Sequence, residues 1–286
     1  MAAIPTWMVK QFGETVEFIV QQKGSRLRQG VRVESGVVGE EAYFDQLAPT
    51  AAVKKTTRNA DTPLVKSDHR RRRVSLFDYE WADLIDKQDK LKMIIEPENS
   101  YAVNAAWALG RSMDDEIIAA FNGTAYTGKT GSTAVTLPAS QQIAVAATGL
   151  TLDKLRSAKE ILDSADVDPE MKRYIAVTPK QITDLLEDTN VTSSDYNTVK
   201  ALVQGQLNTY LGFDFIVSNR LPLDGSGDRL CFAWAMDGIL LAVAQELTAK
   251  VTERDDKSYA NQVYLALGIG ATRMQEDKIV EIACDI

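Results

Sequence analysis

The sequence predicts a mixed α+β chain, and three stretches predict it. One long helix begins near residue 97, a middle portion alternates helix with strand, and the last forty residues or so read as strands. The helix runs from Pro97 to Asn122. Pro97 suits a first helical turn, and Glu98 places negative charge near the helix start. Tyr101, Ala105, Leu109, Met113, Ile117 and Phe121 recur every four residues, and Asn122-Gly123 closes the run with residues that tolerate a left-handed cap. Such a helix spans roughly 37 Å, about the width of a small domain. A spacing of four overshoots the turn, so the apolar stripe drifts by about 40° per step and meets different neighbours along its length. It reads as a strut.

Composition narrows the classes. The 286 residues are 45% hydrophobic and 25% charged, ordinary for a soluble globular chain of one large or two connected domains. A net charge of −8 argues against a surface that grips nucleic acid all over. Cys231 and Cys284 form no CxxC pair, which predicts free buried thiols in a reducing compartment. Lys10, Glu14 and Glu17 interrupt any apolar core near the start, so no signal peptide is expected. The most apolar run, Cys231 to Ala244, is about half a membrane span and holds Asp237. The expectation is a soluble protein made inside the cell, with no membrane contact.

In chain order, Met1 to Gly30 reads as an arm: a short amphipathic piece (Phe12, Val16, Ile19, Val20) precedes the basic Arg26 and Arg28. Val31 and Val33 alternate with charged neighbours, as do Val74 and Leu76, which predicts two strands. Between them lies a long polar stretch with two prolines, so the expectation is a two-stranded extension. An isolated hairpin is marginal in water, so a neighbouring molecule should supply its missing contacts. Beyond the strut, Gly123 to Ser140 is rich in Gly, Thr and Ser. Thr151 can cap a helix bearing Leu152, Leu155, Ala158 and Leu162, and Tyr174 to Val177 is a short buried strand. Thr178-Pro179-Lys180-Gln181 is a capping box, and a further helix is expected around Asn197 to Leu207. Phe213 to Val217 and the run from Leu230 read as strands around an Asp224–Asp228 turn. Leu247 to Val251, Val263 to Ile269 and Lys278 to Cys284 are expected to form one antiparallel sheet against the strut.

Candidate chemistry is sparse. Gly123-Thr-Ala-Tyr-Thr-Gly128-Lys129-Thr130 fits the phosphate-loop pattern letter for letter. That pattern needs a strand before it and a helix after it, whereas a long helix precedes this one and a poor helix start follows. The match is accidental, and a flexible loop is expected. Asp68-His69-Arg70-Arg71-Arg72-Arg73 holds the only histidine and the densest positive charge. With no aromatic residue interleaved, the basic run is read as pairing with acidic patches on an adjacent subunit rather than with nucleic acid. A lone histidine with no ligating neighbours argues against catalysis or a metal. Asp114, Asp115 and Glu116 point about 100° apart in turn, so one is expected in solvent and another near Arg111. Trp81, Trp107 and Trp234 read as core. No enzyme, cofactor or metal site is expected.

The order of parts (arm, polar hairpin, strut, inserted α/β unit, C-terminal strands) resembles the major capsid proteins of tailed bacteriophages, with their Hong Kong 97-like fold. Ile95-Glu-Pro-Glu-Asn-Ser-Tyr101 leading to Ala108-Leu-Gly-Arg-Ser-Met-Asp-Asp115 resembles the entry to that family's spine helix. Tyr210-Leu-Gly-Phe-Asp-Phe-Ile-Val-Ser-Asn-Arg-Leu-Pro222 is similar to a frequent stretch of the family, and Gly270-Ala-Thr-Arg-Met274 with Lys278-Ile-Val-Glu-Ile282 resembles its closing strands. The resemblance implies an N-arm at 1–30, an extended E-loop at 31–80, a P-domain at 81–149 and 245–286 with spine helix 97–122, and an inserted α/β A-domain at 150–244. It implies a structural coat protein that self-assembles into pentamers and hexamers of an icosahedral head around a double-stranded DNA genome, built in the host cytoplasm and ending in the virion. Implied partners are other copies, a separate scaffolding protein, a portal protein, possible decoration proteins and weakly held DNA. Candidate inter-subunit contacts are Lys54, Lys55, Arg58, Arg70, Arg71, Arg72, Arg73, Trp7 and Phe12. Some relatives cross-link a Lys to an Asn, and Lys54 and Lys55 lie on the corresponding loop. An encapsulin-like nanocompartment shell is the nearest alternative.

Overall fold

The computed structural model describes residues 21–59, 61–85, 97–187 and 209–285. Trp7 and Phe12, the rest of the amphipathic arm and the helix expected around 197–207 lie outside them. Among the described residues the fold is mixed α+β, with three sheets and three α-helices: α1 (Pro97–Asn122), α2 (Leu152–Ser164) and α3 (Pro179–Glu187). One sheet has the order β1-β12-β13-β4, from β1 (Arg32–Ser35), β4 (Phe77–Ile85), β12 (Ile239–Arg254) and β13 (Ala260–Arg273). A second joins β2 (Glu41–Leu47), β3 (His69–Ser75), β5 (Ala125–Thr127) and β6 (Thr133–Val135) in that order. The third runs β7-β14-β11-β8-β10-β9. Its strands are β7 (Gln142–Ile143), β8 (Arg173–Val177), β9 (Thr209–Tyr210), β10 (Phe213–Val217), β11 (Arg229–Ala235) and β14 (Ile279–Cys284).

Internal contacts divide the chain into two units. The first takes in the described residues up to Ser25, those of Asp78–Met113, and Gln245–Gly268. Here residues 21–24 lie along α1. Gln21 donates to Asn104 at 2.9 Å, Arg111 donates to Gln21 and to the Gln22 carbonyl, and Lys23 sits over the Trp107 ring. A Cβ on Gly110 would stand 2.6 Å from the Gly24 backbone, so glycine is required where strap and helix cross. In the strands of this unit, Val263, Leu265 and Leu267 are buried, and Tyr264 donates to Glu80 at 2.8 Å. The β12–β13 turn is charged, and the Arg254 guanidinium holds the Asp256 carboxyl down at about 2.

The second unit comprises Arg26–Phe77, Asp114–Ala244 and Ile269–Ile286. Its centre is the six-stranded sheet. β8 is buried along its whole length and β11 nearly so, as expected for apolar runs covered on both faces. Phe121 at the end of α1 stacks on Phe232 with ring centroids 4.7 Å apart, and Trp234 packs against both Phe121 and Tyr174. The Trp234 indole donates to the Gly30 carbonyl at 2.7 Å. Asp114, fully buried, accepts the backbone N–H groups of Arg26 and Leu27. The last residues of the expected arm are therefore core, because Leu27 and Gly30 have partners there. Trp234 is core as read from the sequence; Trp81 and Trp107 are half-buried.

Several pairings differ from the sequence expectation. The strand at Arg32–Ser35 pairs in parallel with Leu240–Val243 of β12, not with the strand near Val74. The partner of that strand is β2, paired antiparallel from Glu41 opposite Ser75 to Leu47 opposite His69. Lys278 to Cys284 does not extend the β12–β13 sheet. As β14 it pairs antiparallel with β11, because a strand buried on both faces fits the central sheet.

Two caps set the local geometry. The Thr151 hydroxyl accepts the Lys154 N–H at the start of α2, and the Thr178 hydroxyl bonds the Gln181 side chain at the start of α3. Ala146 and Ala147 both adopt φ 50°, a left-handed conformation that costs a non-glycine residue about 1–2 kcal/mol. The carbonyls of Val145, Thr148 and Gly149 converge with that of Ala283 on the Lys154 ammonium, at 2.7–3.0 Å. The ammonium offsets the strain of the loop and ties it to β14. Lys154→Met leaves these carbonyls without their donor and should cost about 2–4 kcal/mol, read as a lower urea midpoint at unchanged slope.

Glu281 on β14 lies near the end of α1, where burial, reinforced by Asp224, pushes its carboxyl pKa up against an opposing hydrogen bond from Asn122. A carboxyl with a raised folded pKa holds its proton more firmly in the native state, so stability falls as pH rises from the unfolded value towards the folded one. Glu281→Gln should remove that loss, raising the Tm of the unassembled chain at pH 7 by about 2 °C while leaving it unchanged near pH 4.

Candidate functional site

The basic run of the sequence occupies β3 and pairs with β2, from Glu41 opposite Ser75 to Leu47 opposite His69. Residues 48–59 and 61–68 belong to the tip between the two strands. The Ala48 N–H closes its neck on the Asp68 carbonyl, and Val53, Leu64 and Val65 lie exposed with Lys54, Lys55 and Arg58. Leu64 is 94% exposed, a leucine that the described residues leave uncovered. Residues 41–75 contain eight Lys and Arg against four Asp and Glu, so they carry +4. The rest of the chain, by difference from −8, carries −12.

Strand alternation gives the four arginines different fates. Arg70 is largely exposed, 3.6 Å from Asp68. Arg71 pairs with Asp45 across the hairpin and lies over the Tyr43 ring. Arg73 pairs with Glu41 and lies 4.4 Å from the Tyr126 ring centroid. Arg72 points to the opposite face, is 7% exposed and binds Glu276 within its own chain. Within its own chain, the Arg72 charge is thus paired with Glu276. Arg70, Arg71, Lys54, Lys55 and Arg58 remain presented at the surface. His69 is exposed opposite Leu47.

β5 joins the free edge of β3, with Arg73 opposite Tyr126, and β6 follows it. The Gly123–Thr130 segment is therefore part of a β-hairpin rather than a flexible loop, and it lacks the strand–loop–helix order of a phosphate site. The register also lines up Tyr43, Arg73 and Tyr126 across three strands. The aromatic residues missing beside the arginines in sequence are supplied by neighbouring strands. The alternation of Glu41, Tyr43, Asp45 and Leu47 against the arginine run is the sequence feature that could have found them.

Elsewhere the chemistry is structural. Asp115 forms a bidentate pair with Arg220, and Asp114 is the buried acceptor described above. Cys231 and Cys284 are free and buried side by side, with the hydrogen bond to Cys284, and then burial, pushing the Cys231 thiol up. Among the described residues, no three or more His, Cys, Asp or Glu are grouped to hold a metal ion, and no helix is long and apolar enough to cross a membrane. A cleft of about 110 Å³ beside Glu116, Gly123 and Arg273 is below the size of small-molecule sites.

Residues 4–286 match a family model described as phage capsid protein. The chain belongs to that family. No curated protein matches the capsid chain in sequence. Among solved structures, the capsid of the cyanophage P-SCSP1u has a TM-score of 0.77 at 18% identity, covering 97% of this chain and 93% of that one. An acid-stable capsid of Helicobacter pylori bacteriophage KHP30 has a TM-score of 0.72 at 11% identity, covering 97% and 94%. The capsid of a native GTA particle, computed with C5 symmetry, has a TM-score of 0.69 at 13% identity, covering 100% and 98%. At these identities the likeness is one of fold, and it extends over whole chains.

Gly131 closes the β5–β6 turn at φ 62°, where a Cβ would stand 2.8 Å from Arg73 Cδ and 2.9 Å from Tyr43 Cε1. Gly131→Ala should cost about 1–2 kcal/mol and displace both side chains from the exposed face. The check is a urea titration together with a changed tyrosine fluorescence in the folded state.

Proposed function

We propose that this capsid protein is the major coat subunit of a tailed double-stranded DNA phage, assembling into pentamers and hexamers of an icosahedral head. The observation that carries the reading is the β2–β3 hairpin. It is a cationic segment on an anionic chain, with apolar residues at a tip its own unit does not bury. Such a tip gains most of its buried area on another molecule, and another copy offers the opposite charge. The family match, and the fivefold symmetry applied to a capsid of the same fold, support closed self-association.

In this reading residues 1–30 act as the N-arm and 31–80 as the E-loop. Residues 81–149 and 245–286 form the P-domain around the spine helix, and 150–244 form the A-domain at the fivefold and sixfold axes. The subunit is non-enzymatic and is assembled in the host cytoplasm. Its partners are a separate scaffolding protein, a portal protein, possible decoration proteins and, weakly, the packaged DNA. An acidic subunit limits phosphate contacts and so holds DNA loosely. The phage capsid family match does not favour an encapsulin-like shell.

Negative-stain microscopy of the expressed chain, with and without candidate scaffolding protein, tests the reading. Icosahedral particles are expected, and a monomer under all conditions sinks it. Replacing Lys54, Lys55 and Arg58 together by Ala should lower particle yield about ten-fold at low salt, leave the Tm of the unassembled chain within about 1 °C, and shrink the salt dependence of assembly.

A further inference from the structure

The face of the hairpin opposite the Tyr43–Arg73–Tyr126 row meets the rest of its unit in two ways. One is apolar: Val74 packs with Leu240, Ala242 and Met274, and Val37, Phe44 and Leu76 flank them. Contacts of this kind are non-directional, so they hold the hairpin down without fixing its angle. The other is a polar clamp. Arg72 Nε donates to the Met274 carbonyl at 3.0 Å, and Nη2 reaches both oxygens of Glu276 at 2.7 and 2.5 Å. From the other strand, Gln46 Nε2 donates to the same Met274 carbonyl at 3.0 Å. Both strands are thus pinned to one backbone oxygen.

The clamp is itself held. Glu276 also accepts from Arg273 Nε at 3.4 Å, and Arg273 binds the carbonyls of Phe121, Gly123 and Val135. Arg72 Nη1 is buried and makes no hydrogen bond, so the clamp carries an unsatisfied donor. Removing one partner of a buried ion pair is costly where the other charge is left uncompensated, and here Glu276 keeps Arg273 as a second partner. What an apolar side chain in place of Arg72 cannot supply is a fixed planar fork.

We propose that Arg72 is a positioning residue for assembly: through Met274 and Glu276 it sets the angle at which the β2–β3 hairpin presents its cationic tip to a neighbouring copy. This rests on the assembly reading above. Two variants test it. Arg72→Met removes the fork and leaves Glu276 paired with Arg273. Arg72→Lys keeps the charge and loses the two-sided geometry.

Hydrogen exchange on the unassembled chain is compared at residues 41–47 and 69–75 and, as an internal reference, at β8 and β11. Particles are counted by microscopy under conditions where the unaltered chain assembles. Both variants should speed exchange of the hairpin about ten-fold or more while the reference strands keep their protection, and closed particles should give way to open or irregular shells. Unchanged hairpin exchange overturns the clamp. Equal acceleration in β8 and β11 overturns it too, since Arg72 would then serve only general stability. Faster hairpin exchange with normal particles overturns the role in assembly. An unaltered chain that never forms particles defeats the assembly reading itself, and this role with it, while the exchange comparison still reports whether Arg72 holds the hairpin.

Discussion

A single buried guanidinium holds much of the second unit in register. Arg273 is fully buried, and its nitrogens serve the end of α1, the turn after it, β6 and the carboxylate of Glu276. Burying an arginine costs several kcal/mol, offset here because its bonds go to groups that themselves need donors. Phe121 and Gly123 lie at the end of α1, where helix carbonyls have no partners of their own. Burial pushes the Arg273 pKa down, with the Glu276 carboxylate opposing, and arginine remains charged at any ordinary pH. The end of α1 with the turn after it, β6, and the segment around Glu276 therefore depend on one side chain at the root of the hairpin.

Elements set by local pattern were legible in the sequence. The strut is present as Pro97–Asn122, and the Thr151 cap and the strands at Phe213–Val217 and from Leu230 also lie where spacing placed them. What local pattern does not contain is the partner. β14 reads as a strand like β13, yet it belongs to another sheet, and β1 looks like a hairpin strand but pairs in parallel with β12. Strand pairing is decided by burial on both faces and by the chain path between strands.

The site was half legible for the same reason. Four consecutive arginines announce a basic segment, but whether a charge is offered or spent depends on strand phase. Arg72 is buried because it shares a face with Val74, and Arg71 and Arg73 lie among tyrosines because they share the other. Lys154 would pass in sequence for a solvated lysine of an amphipathic helix. Only the carbonyls of a strained loop and of Ala283 reveal it as structural.

Charge and shape together bear on how such a subunit associates. With −12 outside the hairpin, two copies repel at most orientations once they come within a Debye length, about 8 Å at physiological salt. An approach that brings a +4 hairpin to an acidic surface escapes that penalty, so electrostatics selects orientation before any apolar contact forms. The exposed Leu64, Val53 and Val65 can then be covered only where the charges have already steered the tip. An arrangement of this kind separates the two tasks of a shell subunit. In the proposed assembly, repulsion between bodies suppresses disordered clumping and the cationic hairpin selects the neighbour. In that assembly the selection works only if the segment points one way, a constraint that a guanidinium bridging the Met274 carbonyl and the Glu276 carboxylate supplies and a greasy cluster alone does not.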